Sequence, residues 1–132
     1  MTRKPNVLLV DDEESILATL RLVFEAEGYA VHTANSCRDA LEVLKNGVSI
    51  DAVVTDLNME KNDIGLEVAR FARTLRPTPV VLVCTGFANE DNARQALKLH
   101  IDYLLQKPVD LNELKQALRR LLRLRKERGL WK

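Results

Sequence analysis

The chain has 132 residues, 46% of them hydrophobic and 30% charged, with a formal net charge of +1 at pH 7. That length suits one domain burying about two thirds of the surface its unfolded form would expose, and the near-neutral balance gives no ground for a polyanion partner. Cys37 and Cys84 are too few and too far apart for a metal knuckle or disulfide framework, and no run reads as a signal peptide or membrane span, so a cytoplasmic protein with reduced, structural cysteines is expected.

Short β-rich runs alternate with helical patterns, which predicts βαβ units and a parallel sheet covered on both faces. After the first strand, VLLV, comes a helix with Ile16, Leu20, Val23 and Phe24 on one stripe, stopped by Gly28. Strand two runs from about Tyr29 to Ala34. Ser36 and Asp39 read as a capping box opening a second helix through Leu41 and Leu44, which stops at Gly47.

Strand three is about Ala52 to Thr55, followed by a loop from Leu57 to Ile64. A third helix carries Leu66, Ala69, Ala72 and Leu75 before Pro77 ends it. Strand four, Val80 to Cys84, is apolar on both faces, as a central parallel strand should be. A fourth helical pattern, about Glu90 to Leu99, has a narrow apolar stripe of Ala93, Ala96 and Leu97, so its hold on the sheet should be comparatively weak. Strand five is Tyr103 to Gln106, and Asp110 with Glu113 caps a last helix through Leu114, Leu118, Leu121 and Leu122.

A polar residue ends four of the apolar runs: VLLV leads to Asp11 and Asp12, AVVT to Asp56, VVLVC to Thr85, and YLLQ to Lys107. In an open parallel sheet the carboxyl ends of the strands share one edge, so these residues should converge in one crevice. Three carboxylates held together repel one another, and some would protonate rather than all ionise. A hard divalent cation removes that conflict, and Mg²⁺ suits a site of one or two carboxylates, water and a phosphate oxygen. Lys107 adds a compact positive charge and Thr85 a hydroxyl donor, both suited to phosphoryl oxygens. Phosphoryl transfer to a carboxylate is the chemistry expected.

Each residue alone has an ordinary explanation. Asp11, Asp12, Glu13 and Glu14 read as an acidic first turn complementing a helix dipole, Asp56 as a loop acid, Thr85 as a β-branched strand residue and Lys107 as a surface charge. Their order, DD then D then T then KP, each after an apolar run, resembles the receiver domain of two-component response regulators. The resemblance implies a single flavodoxin-like (βα)5 domain with a five-stranded parallel sheet of order 2-1-3-4-5 and helices on both faces.

It further implies that Asp56 is the nucleophile, taking a phosphoryl group from phosphohistidine as a mixed anhydride. Asp12 would bind Mg²⁺ directly and Asp11 through water, with the backbone carbonyl of Asn58 completing the shell alongside Asp56. Thr85 would bond the phosphoryl oxygen, and Pro108 would follow a cis peptide bond. Gly86 leaves open space beside the crevice. At most slow self-catalysed phosphorylation and dephosphorylation is expected, not turnover as an enzyme. Partners would be a sensor histidine kinase or histidine phosphotransfer protein, and a protein target on the face made by the fourth helical pattern, the fifth strand and the last helix. Neither nucleic acid nor membrane is expected as a partner, and the state would be a monomer or a phosphorylation-dependent dimer.

Three features depart from the family pattern. Glu60 stands where Pro is usual, four residues after Asp56, and the loop to Gly65 is one residue longer. Phe87, two residues after Thr85, should hinder water and prolong the phosphoryl state. The switch aromatic normally lies three residues before the Lys, where this chain has Leu104; Tyr103 is one residue earlier, and one residue reverses the face of a strand. Either a bulge re-aims Tyr103 or the aromatic coupling is absent.

From Asp110 to Lys132 there are eight Lys or Arg and three acids, which leaves the remainder acidic. Bases late in a helix complement its dipole, which explains them without a polyanion. The receiver is expected over residues 1–122, with 123–132 a basic helical extension or linker stub. A receiver cut from a larger kinase or transcription factor is the alternative that sequence does not separate. An aspartyl-phosphate hydrolase of haloacid dehalogenase type would need an acid where Asn58 stands and room for a cap. A flavodoxin-like electron carrier would place its phosphate against Asp11 to Glu14, which would repel it.

Overall fold

The computed structural model describes residues 3–57, 64–86, 94 and 97–129. Its elements run β1 (Asn6–Val10), α1 (Glu14–Ala26), β2 (Ala30–Ala34), α2 (Cys37–Lys45), β3 (Ala52–Asp56), α3 (Ile64–Thr74), β4 (Val80–Thr85), β5 (Tyr103–Gln106) and a C-terminal helix (Leu111–Glu127). All strand pairings are parallel, in one five-stranded sheet of order β2-β1-β3-β4-β5. This is the flavodoxin-like α/β fold expected from the sequence. Most of the fourth helical pattern, Glu90 to Leu99, lies outside the described residues.

The sheet is covered on both faces because side chains alternate along each strand. One face sets Leu8, Val10, Val53, Val81 and Val83 against Ala40 and Leu44 of α2 and Leu66, Ala69 and Ala72 of α3. The opposite face sets Val7, Leu9, Val54, Leu82 and Leu105 against Leu17 and Phe24 of α1 and Leu114, Leu118 and Leu122 of the C-terminal helix. Every residue of β3 and β4 is buried, which is why those runs carry no polar alternation until Thr55 and Asp56, or Thr85.

Local signals place the helix ends. The Ser36 hydroxyl accepts the backbone N–H of Asp39 at 3.1 Å. Asp110 Oδ1 accepts the N–H groups of Asn112 at 2.8 Å and Glu113 at 3.2 Å, satisfying donors that have no partner within the helix. Gly28 and Gly47 follow α1 and α2 with φ of 95° and 81°, a backbone region that favours glycine. The C-terminal helix continues past residue 122, with Leu122 and Arg125 both buried.

Candidate functional site

The crevice lies at the carboxyl edge of the sheet. Asp56 and Thr85 are the last residues of the neighbouring strands β3 and β4; Asp11 and Asp12 follow β1, and Lys107 follows β5. Parallel pairing fixes this meeting, since Asp56 stands opposite Cys84 and Thr85 opposite Gln106. Two backbone bonds brace the rim: Leu57 N–H donates to the Cys84 carbonyl and Lys107 N–H to the Thr85 carbonyl, each at 2.8 Å.

Asp11, Asp56 and Thr85 are buried while Asp12 is exposed. One carboxylate oxygen from each of Asp11, Asp12 and Asp56 lies within 4.8 Å of the others. Across the crevice Lys107 Nζ donates to Asp56 Oδ2 at 2.8 Å. Asp11 Oδ1 accepts the Glu13 N–H at 2.9 Å, which orients Asp11 as the chain turns into α1.

The electrostatics carry the mark of this crowding. Burial pushes the Asp11 carboxyl upward; the Glu13 N–H opposes the rise, while the charges of Asp56 and Asp12 add to it. Burial alone would lower the Lys107 ammonium, but its hydrogen bond to Asp56 and the charges of Asp56 and Asp11 more than offset this, and its pKa is raised. Burial beside Asp56 pushes the Cys84 thiol up to about 12, so it stays a neutral thiol. Cys37 and Cys84 are both free.

Three convergent carboxylate oxygens form a hard donor set, and a cation there would offset both the burial of the Asp11 charge and the smaller push from Asp56 and Asp12, so the residues fit Mg²⁺. Asn58 and Phe87, named from the sequence, lie outside the described residues, as does Glu60. Gly86 does not face open space. A Cβ there would lie 3.5 Å from Lys107 Cδ, in ordinary contact, because the lysine stem crosses beside it on the way to Asp56. The Lys107–Pro108 peptide is cis, as the resemblance implied; so is Arg76–Pro77, which no sequence feature had singled out.

No bulge re-aims Tyr103: β5 pairs with β4 in continuous register, and the ring sits on the face of the C-terminal helix, while Leu104 packs on the opposite face. The sequence reading also missed a cavity of about 400 Å³ beside Asp56, between α1 and the start of the C-terminal helix, lined in part by Ile16, Leu20, Val109 and Leu111. Of its apolar lining, Ile16 and Leu20 read as ordinary core stripe of the first helix.

Residues 7–119 match the family model for the response regulator receiver domain. The chain is 35% identical over 119 residues to the transcriptional regulatory protein GlrR of Escherichia coli K12, covering 89% of this chain and 26% of that protein. It is 32% identical over 125 residues to the regulatory protein AtoC of the same organism, covering 94% of this chain and 26% of AtoC. The chain thus spans about a quarter of the length of these curated relatives. Among solved structures, a response regulator receiver domain protein from Clostridium thermocellum superposes with a TM-score of 0.83 at 32% identity, covering 92% of this chain and 97% of that one. A CheY-like receiver domain protein from Methanospirillum hungatei JF-1 gives a TM-score of 0.88 at 26% identity, covering 96% and 99%. With its sheet order, its acidic crevice and a match over most of its length, the chain belongs to the response regulator receiver domain family of two-component systems.

Proposed function

We propose that this domain accepts a phosphoryl group on Asp56 from a phosphohistidine of a sensor kinase or phosphotransfer protein, and signals by changing shape. The observation that carries this reading is the Asp56 carboxylate, buried at a strand end, 2.8 Å from Lys107 Nζ and beside two further carboxylates. An Asp56 oxygen would attack phosphorus as the donor's P–N bond breaks, leaving a mixed anhydride on Asp56 and a neutral imidazole on the donor. Asp11, Asp12 and Asp56 would hold Mg²⁺, which when bound neutralises charge on the phosphoryl oxygens; the Asn58 carbonyl is proposed as a further ligand.

Lys107, already paired with Asp56, would pass to a phosphoryl oxygen, and the Thr85 hydroxyl would donate to another. Drawing these two toward the new anion moves the segments after β4 and β5. Shifting a population from 1:99 to 99:1 needs about 5.5 kcal/mol in favour of the active form. A few charge-assisted hydrogen bonds, each about 1.5–3 kcal/mol, supply that. The phosphoryl donor would approach the cavity beside Asp56, between α1 and the start of the C-terminal helix, and the downstream protein target would dock on the face made by the fourth helical pattern, β5 and the C-terminal helix.

No helix among the described residues is long and apolar enough to cross a membrane, and we propose a cytoplasmic location. One relative is named a transcriptional regulatory protein and the other a regulatory protein, and the chain covers 26% of each, so a second reading is favoured: a receiver that controls gene expression as part of a longer protein. In that reading nucleic acid is contacted by the rest of that protein, with residues 1–122 as the receiver and 123–132 as the stretch leading out of it. Incubation with phosphoramidate and Mg²⁺ should load one phosphoryl group per chain, with no sustained release of nitrophenol from p-nitrophenyl phosphate. Rapid turnover of the nitrophenyl ester without loading would instead indicate a hydrolase.

A further inference from the structure

The opposite edge of the sheet, where the strands begin, carries a second polar cluster. Asp51, fully buried just before β3, accepts from Arg3 Nη1 at 2.6 Å and Nη2 at 2.8 Å, from Asn6 N–H at 2.7 Å and from Arg125 Nη1 at 2.8 Å. Two guanidiniums therefore share the Asp51 carboxylate. Arg125 Nε donates to the Thr78 carbonyl at 3.0 Å, but its Nη2 is buried without a hydrogen-bond partner among the described residues. A buried N–H of a charged group left in this way is costly, so a missing acceptor is the natural complement.

A cavity of about 230 Å³ opens along the Arg125 side chain, between the end of α3, the start of β4 and the C-terminal helix, lined by Arg73, Arg125 and Arg128 together with Thr78, Asp102 and Leu124. Arg76 stands close by, with Nη1 donating to the Arg73 carbonyl at 2.9 Å and to Thr78 Oγ1 at 2.8 Å. The single acid of the lining, Asp102, has Oδ2 engaged by the Val81 N–H at 2.7 Å. A water occupies about 30 Å³ in the liquid, so the cavity has room for a tetrahedral oxyanion and a few waters. We infer that this cavity binds a small oxyanion of the phosphate class, held by Arg73, Arg125 and Arg128. Guanidinium forks match the paired oxygens of such an ion. Occupancy ties the end of α3 to the C-terminal helix at the point where the chain leaves the sheet, independently of any chemistry at Asp56.

Titration of the isotopically labelled full chain, free of Mg²⁺, with inorganic phosphate and separately with sodium chloride at matched ionic strength tests this by amide chemical shifts. Phosphate should give saturable shifts at Thr78, Val80, Asp102 and Arg125 that chloride does not reproduce. Arg73→Ala and Arg128→Ala, which lie outside the Asp51 network and should fold, should each weaken binding about tenfold, the loss of roughly one charge-assisted hydrogen bond. Shifts that chloride matches, shifts confined to Thr85 and Lys107, or unchanged affinity in both variants would each overturn the assignment and leave the cavity filled by water.

Discussion

The Tyr103 hydroxyl donates to Glu113 Oε2 at 2.7 Å, which holds the ring of the last strand against the C-terminal helix. Leu104 lies on the other face with Leu99 and Ile101, opposite Val83, and by strand alternation Thr85 shares that face. A ring on the far side of the sheet does not follow a movement of Thr85 toward a phosphoryl group. Hydrogen exchange with and without a phosphoryl mimic should therefore show altered protection around Gly86 to Ala96, and Tyr103→Ala should leave that response largely intact. Loss of the response in this variant would mean that the aromatic acts from its shifted position.

Metal affinity should rest on charged ligands. Asp12→Ala removes a carboxylate from the acidic cluster, whereas Asn58→Ala retains its backbone carbonyl. Calorimetric titration with Mg²⁺ should show a large loss for the first and a small one for the second. The reverse ranking would mean that the ligands are misassigned.

Asp11 links the crevice to stability through pH. Its folded-state pKa is raised, chiefly by burial, so its charged form destabilises the metal-free fold at neutral pH. That penalty falls away as pH drops through the raised value and is absent below the unfolded value of about 4. Asp11→Asn keeps an acceptor for the Glu13 N–H and removes the charge. Urea unfolding in chelator should find the variant more stable than the parent at pH 8, with the two converging near pH 4, while its Mg²⁺ affinity falls. A variant less stable than its parent at pH 8 would contradict the electrostatic account.

Arg125 should be a stability residue with no part in phosphorylation. Removing one partner of a buried ion pair costs about 3–5 kcal/mol, and Arg3 still holds Asp51, so Arg125→Ala should cost about 3 kcal/mol in urea unfolding. Phosphoryl loading at low temperature, where the variant remains folded, should match the parent.

Much of the fold was legible because its signals are local. β5 was placed at Tyr103 to Gln106 from one short run between polar neighbours, and Asp110 announced the final helix through the two N–H groups it caps. The crevice was legible because strand ends in a parallel sheet share an edge, so Asp11, Asp12, Asp56, Thr85 and Lys107 could be brought together without knowing a single contact. The Asp51–Arg125 pair was not. Its partners are 74 positions apart, no motif marks Asp51, and Arg125 is one of several bases late in the last helix. Only the packing of the C-terminal helix selects that arginine for burial.

The acceptor itself is tested most directly by intact-mass and peptide mass spectrometry after incubation with acetyl phosphate and Mg²⁺. The parent chain should gain one phosphoryl group, carried by the peptide that contains Asp56 and removed by hydroxylamine, and Asp56→Asn should gain none. Equal labelling of Asp56→Asn, or a phosphoryl group mapped to Asp11 or Asp12, would contradict the account.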